Sequence, residues 1–283
     1  MKSFEIDFDD VTAIVDIAFL EDIGSGDLTT KSIVPSDSRI EAVMVARQDL
    51  VVSGIPIVEQ MLNQADPAIS LDVKFADGSE VCKGDAILKI EGVAEGILTA
   101  ERSALNSLQF LSGIATLTHS YVSAIRDKKA VLLDTRKTIP GLRNLSKYAV
   151  RCGGAKNHRM RLDDGILIKD NHIVVAGSIA RAVKLVKSRN SGKIGIQAEC
   201  DTLEQVKHAM QAGADSLLLD NMSLAALREC VQIVAGRVPL EASGGVTLES
   251  IRAIADTGVD YISVGAITQR APAVDIGLDV AWL

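Results

Sequence analysis

The sequence predicts an α/β fold: a (β/α) barrel preceded by a small α+β sandwich domain. Three observations carry this. From about residue 130 almost to the end, short apolar segments alternate with amphipathic helical patterns, the signature of βα units with buried parallel strands. Before them, between residues 40 and 91, the texture is that of alternating strands joined by turn dipeptides. Nearly every apolar segment of the second half finishes on a polar or small residue, as at the C-terminal strand ends where barrel enzymes assemble their sites.

In chain order, Asp9 to Leu20 repeats apolar residues at helical spacing with acidic residues at its start, which suits a helix N-terminus. Glu21 to Asp27 follows as a glycine-rich turn, read either as a linker or as part of a site. Glu41 to Arg47, Leu71 to Phe75 and Ala86 to Glu91 read as strands, with a short helix over Ile57 to Asn63 and turn signals at Asp77-Gly78 and Lys83-Gly84-Asp85. A long helix from Leu98 to about Ile125, striped by Leu105, Leu108, Leu111 and Ile114, connects this front to the rest. Near its start Arg102 opposes the helix dipole, so it either pairs with an acid such as Glu101 or serves as a ligand.

Six strands are then expected, over Val131 to Asp134, Gly165 to Lys169, Ile194 to Glu199, Ser216 to Asp220, Val238 to Ser243 and Asp260 to Val264. Helices are expected over Ile179 to Ser188, Leu203 to Ala212, Leu224 to Val234 and Leu248 to Thr257. Six strands favour a barrel over an open doubly wound sheet, a choice that periodicity alone does not close.

With 283 residues and 47% hydrophobic content the chain can bury a large core, and with only 3% aromatics that core must be aliphatic. A net charge of −7 argues against a nucleic-acid binder or an anionic-membrane binder. No apolar run approaches membrane-spanning length and no basic leader opens the chain, so a cytosolic protein is expected. Cys82, Cys152, Cys200 and Cys230 lack any C-x-x-C spacing and read as reduced, mostly buried thiols.

Against that acidic background, nine of the 30 Lys and Arg residues stand between Asp134 and His172, with three acids between Arg136 and His172. Guanidinium groups bind carboxylates bidentately and lysine acts as a point charge. Arg136, His158, Arg159 and Lys169, with Lys137 beside them, therefore match a compact dianion bearing carboxylates. Glu199 and Asp220 end neighbouring strands and suit Mg2+, or else pair with the cationic island. The turns Ser243-Gly244-Gly245 and Gly265-Ala266 after the last strands suit a phosphate cradle.

These residues resemble the quinolinate phosphoribosyltransferase family, also called nicotinate-nucleotide pyrophosphorylase (carboxylating). The likeness runs from Leu20-Glu21-Asp22-x-Gly24-x-Gly26-Asp27-x-Thr29-Thr30 through Glu101-Arg102-x-x-x-Asn106 to the motifs Asp134-Thr-Arg-Lys-Thr138, Asn157-His-Arg159 and Lys169-Asp-Asn-His172. It continues through Glu199-Cys200-Asp201 and Leu219-Asp220-Asn221 to Ala242-Ser243-Gly244-Gly245. The resemblance implies an N-terminal sandwich domain over residues 1–115, with 272–283 returning to it, and an incomplete, roughly seven-stranded (β/α) barrel over 116–271. It implies a homodimer in which Arg102 reaches the neighbouring subunit's site. The implied reaction joins quinolinate to 5-phosphoribosyl 1-pyrophosphate with loss of pyrophosphate and CO2, in NAD biosynthesis.

By family pattern, Arg136, His158, Arg159 and Lys169, with Arg102, hold the quinolinate carboxylates and Lys137 lies near the pyrophosphate. Glu199 and Asp220 place Mg2+ and the ribose hydroxyls; Ser243, Gly244, Gly245, Gly265 and Ala266 bind phosphate. Lys137, Lys169, Glu199 and Asp220 form the catalytic set. The chain departs from many relatives at Gln269 and Arg270, where they carry a histidine. Competing readings are a related pyrophosphorylase of molybdenum transport loci, a Schiff-base aldolase using Lys169 or Lys137, and a non-catalytic phosphometabolite-binding barrel.

Overall fold

The computed structural model describes residues 6–190 and 194–282. The first elements are helices α1 (Phe8–Asp22) and α2 (Leu28–Ile33), strands β1 (Arg39–Ala46) and β2 (Leu50–Val51), helix α3 (Ile55–Ala65), strands β3 (Ser70–Val73), β4 (Glu80–Val81) and β5 (Ala86–Val93), and the long helix α4 (Ala94–Ala124). Side-chain acceptors start the first two helices: Asp7 takes the N–H of Asp9 at 3.0 Å and Asp27 that of Thr30 at 3.0 Å. The glycine-rich turn is thus the entry to a short helix that helical periodicity was too brief to reveal.

There follow β6 (Val131–Leu133), α5 (Arg143–Cys152), β7 (Ile166–Ile168), α6 (Asp170–Ala176), α7 (Ile179–Arg189), β8 (Ile196–Cys200), α8 (Leu203–Ala212), β9 (Ser216–Asp220), α9 (Leu224–Val234), β10 (Leu240–Ser243), α10 (Ile251–Ala255), β11 (Tyr261–Ser263), α11 (Ala266–Gln269) and β12 (Ile276–Trp282). Ser178, Thr202 and Ser223 cap α7, α8 and α9 by accepting from the third residue on, each at 3.2 Å.

The chain divides into two compact units: Met1–His119, Ile139–Gly154 and Arg270–Leu283 in one, Ser120–Thr138 and Ala155–Gln269 in the other. The first contains a four-stranded sheet in the order β12-β1-β5-β3. The chain end adds an antiparallel edge to β1, from Ile40 opposite Trp282 to Ala46 opposite Ile276. Segment 139–154, assigned to the barrel by the sequence reading, belongs instead to this unit. Tyr148 and Cys152 of α5 are buried in a cluster with Val51 and Ala115, which holds the helix there.

The second unit is built on a six-stranded sheet in the order β6-β11-β10-β9-β8-β7, parallel throughout. Strands β7 to β11 lie side by side in sequence order, and the first strand, β6, joins the last. That is barrel winding. Strands β6 and β7 do not pair with each other; at β6 the chain instead makes a single parallel bridge, Leu133 to Lys156. The barrel is incomplete, with six strands among the described residues rather than seven, the missing one reduced to that bridge. No helix among the described residues is long and apolar enough to cross a membrane.

Candidate active site

Within the second unit a pocket of about 350 Å³ is lined by side chains from the barrel strands and from the segments that follow their C-terminal ends. It gathers Arg136, Lys137, His158, Arg159, Lys169, Glu199, Asp220 and Ser243, eight of the residues singled out in the sequence. Gly244 and Gly245 follow directly on Ser243, and Gly265 and Ala266 follow the end of β11. A Cβ on Gly265 would stand 2.8 Å from Lys137 Cδ, so this turn runs against the lysine stem. At Gly244 (φ +92°) a Cβ would meet Asn221 Oδ1 at 2.2 Å and its backbone nitrogen at 2.8 Å. Only glycine lets these two strand ends come together.

Local bonding explains the motifs. Asp134, fully buried, accepts from Asn157 Nδ2 at 2.6 Å and from the His158 backbone N–H at 2.8 Å. The first motif therefore anchors the second. The Lys169 backbone N–H donates to His172 Nδ1 at 2.9 Å, so the last residue of Lys-Asp-Asn-His closes the first turn of α6 and leaves the lysine side chain to the pocket.

The island divides. Arg143, Lys147 and Arg151 lie on α5 in the first unit, and Lys147 is fully buried there. Arg102, on α4, also belongs to the first unit. Around the pocket, burial and the neighbouring charge of Arg136 push the Arg159 guanidinium down from its ordinary value. An arginine stays charged even so, and two crowded guanidinium groups make a strong anion receptor. Lys169 Nζ lies 3.5 Å from Glu199 Oε2. Burial raises the Glu199 carboxyl and the nearby Asp220 adds to that, while Lys169 opposes it.

Glu199, Asp201 and Asp220 each bring one carboxylate oxygen within 4.8 Å of the others. An all-oxygen set of this spacing fits Mg2+. Asp201, in the Glu-Cys-Asp motif, was not among the metal candidates read from sequence, because it lies one residue past the strand.

The sequence reading missed part of the deeper lining, Leu167, Leu218 and Glu241, while Thr135 and Ser263 stood inside stretches it had singled out. The available signal was period two. Leu167, Leu218 and Glu241 each sit two residues before a predicted strand-end residue and so share its face. His158, 16% exposed, uses both ring nitrogens within the protein: Nδ1 accepts the Arg159 backbone N–H at 2.7 Å and Nε2 faces Gln197 Oε1 at 3.1 Å.

Comparison with known proteins agrees. Residues 27–112 match the quinolinate phosphoribosyl transferase N-terminal domain and residues 114–279 its C-terminal domain. The probable nicotinate-nucleotide pyrophosphorylase [carboxylating] of Bacillus subtilis (strain 168) is 43% identical over 93% of this chain and 90% of its own. A quinolinate phosphoribosyltransferase [decarboxylating] of Nicotiana glauca is 39% identical over 96% of this chain and 82% of its own. The solved nicotinate-nucleotide pyrophosphorylase of Francisella tularensis superposes with a TM-score of 0.95 at 42% identity, covering 98% of each chain. With both domains matched in order and the motif residues gathered in one pocket, the chain belongs to the quinolinate phosphoribosyltransferase family of pentosyltransferase enzymes.

Proposed function

We propose that this protein transfers the phosphoribosyl group of 5-phosphoribosyl 1-pyrophosphate to quinolinate, giving nicotinate mononucleotide, pyrophosphate and CO2 in NAD biosynthesis. The observation that carries this is that Arg136, Arg159 and Lys169 line one pocket with Glu199 and Asp220. The cations suit a dicarboxylate and the carboxylates a ribose carrying developing positive charge.

The ring nitrogen of quinolinate attacks C1′ of the ribose while the C1′–O bond breaks and its electron pair leaves with pyrophosphate. Arg136, Arg159 and Lys169 orient the two carboxylates, and Glu199 and Asp220 face the oxocarbenium-like centre. Lys137 and the Ser243-Gly244-Gly245 and Gly265-Ala266 turns receive phosphate. Glu199, Asp220 and Asp201 would hold Mg2+, which when bound neutralises charge on the departing pyrophosphate. Ribosylation leaves the ring nitrogen positive. The bond from the ring to the adjacent carboxylate then breaks, its electron pair stays on the ring carbon beside that nitrogen, and a proton completes the product. No covalent enzyme intermediate is required.

The same reading includes a cytoplasmic homodimer in which Arg102 of one subunit completes the partner's site. Supporting it, each unit has exposed apolar side chains that association would cover: Leu20 (80%) and Leu28 (78%) in the first, Val174 (78%) and Val175 (90%), on the helix that follows Lys169, in the second. The primary test is to incubate folded protein with Mg2+, quinolinate and phosphoribosyl pyrophosphate and follow nicotinate mononucleotide. Product formation is expected, with Lys169→Ala lowering kcat/KM by about a hundredfold or more; no product above background ends the proposal.

A further inference from the structure

Behind the catalytic face lies a carboxylate to which the reaction gives no role. Glu241 sits in the middle of β10, only 3% exposed, in a strand whose other described residues are Leu240, Ala242 and Ser243. Its Oε2 accepts from Gln197 Nε2 at 2.8 Å and stands 3.4 Å from His158 Nε2. Gln197 Oε1 in turn meets the same His158 nitrogen at 3.1 Å. With Nδ1 already accepting from Arg159, the ring's proton is on Nε2, directed at this pair. Burial pushes the Glu241 carboxyl up, but hydrogen bonding and electrostatic attraction by His158, with hydrogen bonding by Ser263 and Gln197, outweigh it and leave the group below its ordinary range.

Two features separate this from ordinary core packing. Glu241 Oε1 is buried without a well-formed hydrogen bond, the Ser263 hydroxyl being the one further donor beside this carboxylate, and a loosely satisfied buried carboxylate does little to favour the fold. In addition His158, Arg159 and Glu241 line a second cavity of about 500 Å³ as well as the catalytic pocket, together with Gln197 and Lys156. They form a partition with space on both sides. An imidazole there has room to swing away unless it is tied, and the backbone N–H it accepts belongs to Arg159.

We infer that Glu241 is a positioning residue of the dicarboxylate site: with Gln197 it fixes the His158 ring, which with Asp134 fixes the segment carrying Arg159. This rests on the proposed quinolinate reading and assigns it a supporting layer. The chemistry requires an acceptor at Oε2, toward which the His158 and Gln197 Nε2 groups both point.

The test compares Glu241→Leu, Glu241→Gln and wild type for kcat, for KM of each substrate and for thermal stability. Glu241→Leu is expected to raise the quinolinate KM about tenfold or more by releasing the His158 ring, with the phosphoribosyl pyrophosphate KM little changed, and to lower the Tm because buried donors are left unmet. Glu241→Gln keeps an acceptor oxygen and is expected to restore the quinolinate KM to within about threefold of wild type. Equal rises in both KM values, an unchanged quinolinate KM in Glu241→Leu, or a Glu241→Gln variant as impaired as Glu241→Leu would overturn the inference. Wild-type protein that makes no product overturns instead the quinolinate reading, so the two failures are distinguishable.

Discussion

Three of the four thiols are chemically silenced by where they sit. Burial pushes Cys152 and Cys200 up to about 12 and Cys230 up to about 11, while Cys82 is exposed. The thiolate is the reactive form, and a raised value keeps the group protonated until the pH climbs through it. At pH 8, therefore, native protein is expected to take up one equivalent of iodoacetamide, at Cys82, and four after denaturation, as counted by mass spectrometry. Rapid native labelling of Cys152 or Cys200 contradicts the burial argument. Glycine positions show a similar dependence on surroundings: Gly245 and Gly244 stand side by side in the sequence, yet only at Gly244 does a neighbouring strand end exclude a Cβ.

At the scale of elements, helix α3 begins on Gly54, which offers no side-chain cap, and borrows one from elsewhere. Asp77 accepts from the Gly54 N–H at 2.9 Å, the Ile55 N–H at 3.0 Å and the Tyr148 hydroxyl at 2.6 Å. One carboxylate thus joins α3, the turn before β4 and α5. Asp77→Ala is expected to destabilise the protein by about 1–3 kcal/mol, the usual cost of stranding buried donors, measured as a lowered urea midpoint. A midpoint equal to wild type excludes this role. In sequence Asp77-Gly78 was legible only as a turn, because the helix it caps starts more than twenty residues earlier. Helix α5 was illegible for a related reason: it is amphipathic but lies within the cationic run, and its buried face is set by contacts to β2 and α4 that no local pattern announces.

For the whole molecule, the decisive question is where the Arg102 guanidinium acts. If it completes the partner's pocket, Arg102→Ala and Lys169→Ala are each inactive alone, but mixed, dissociated and reassembled they form heterodimers with one intact site. Statistical pairing predicts recovery of up to about a quarter of wild-type activity. Zero recovery from a mixture shown to exchange subunits rules out the shared site, while leaving the reaction itself to the direct assay. The barrel was legible as a class: five consecutive βα repeats and a functional residue at each strand end need only period and order. Its incompleteness was not, because the missing strand shrinks to a bridge at Lys156 inside a stretch that reads as loop.

What the sequence determined by itself was the chemistry at the strand ends: Arg136, Lys169, Glu199, Asp220 and Ser243 carry charge or hydroxyl where apolar runs stop, and strand direction sends them all to one rim. Tertiary structure alone decided the layer beneath. Glu241, Gln197 and His158 belong to three separate stretches of chain, and although His158 stands in a motif, Glu241 and Gln197 read as ordinary polar residues. Only the winding of the strands into one sheet brings those side chains within 3.4 Å of one another. The tertiary fold also parted the cationic island, keeping Arg136, Lys137, Arg159 and Lys169 at the pocket and assigning Arg143, Lys147 and Arg151 to a different unit. Charge density is a property of sequence, but which charges share a cavity depends on how distant segments pack.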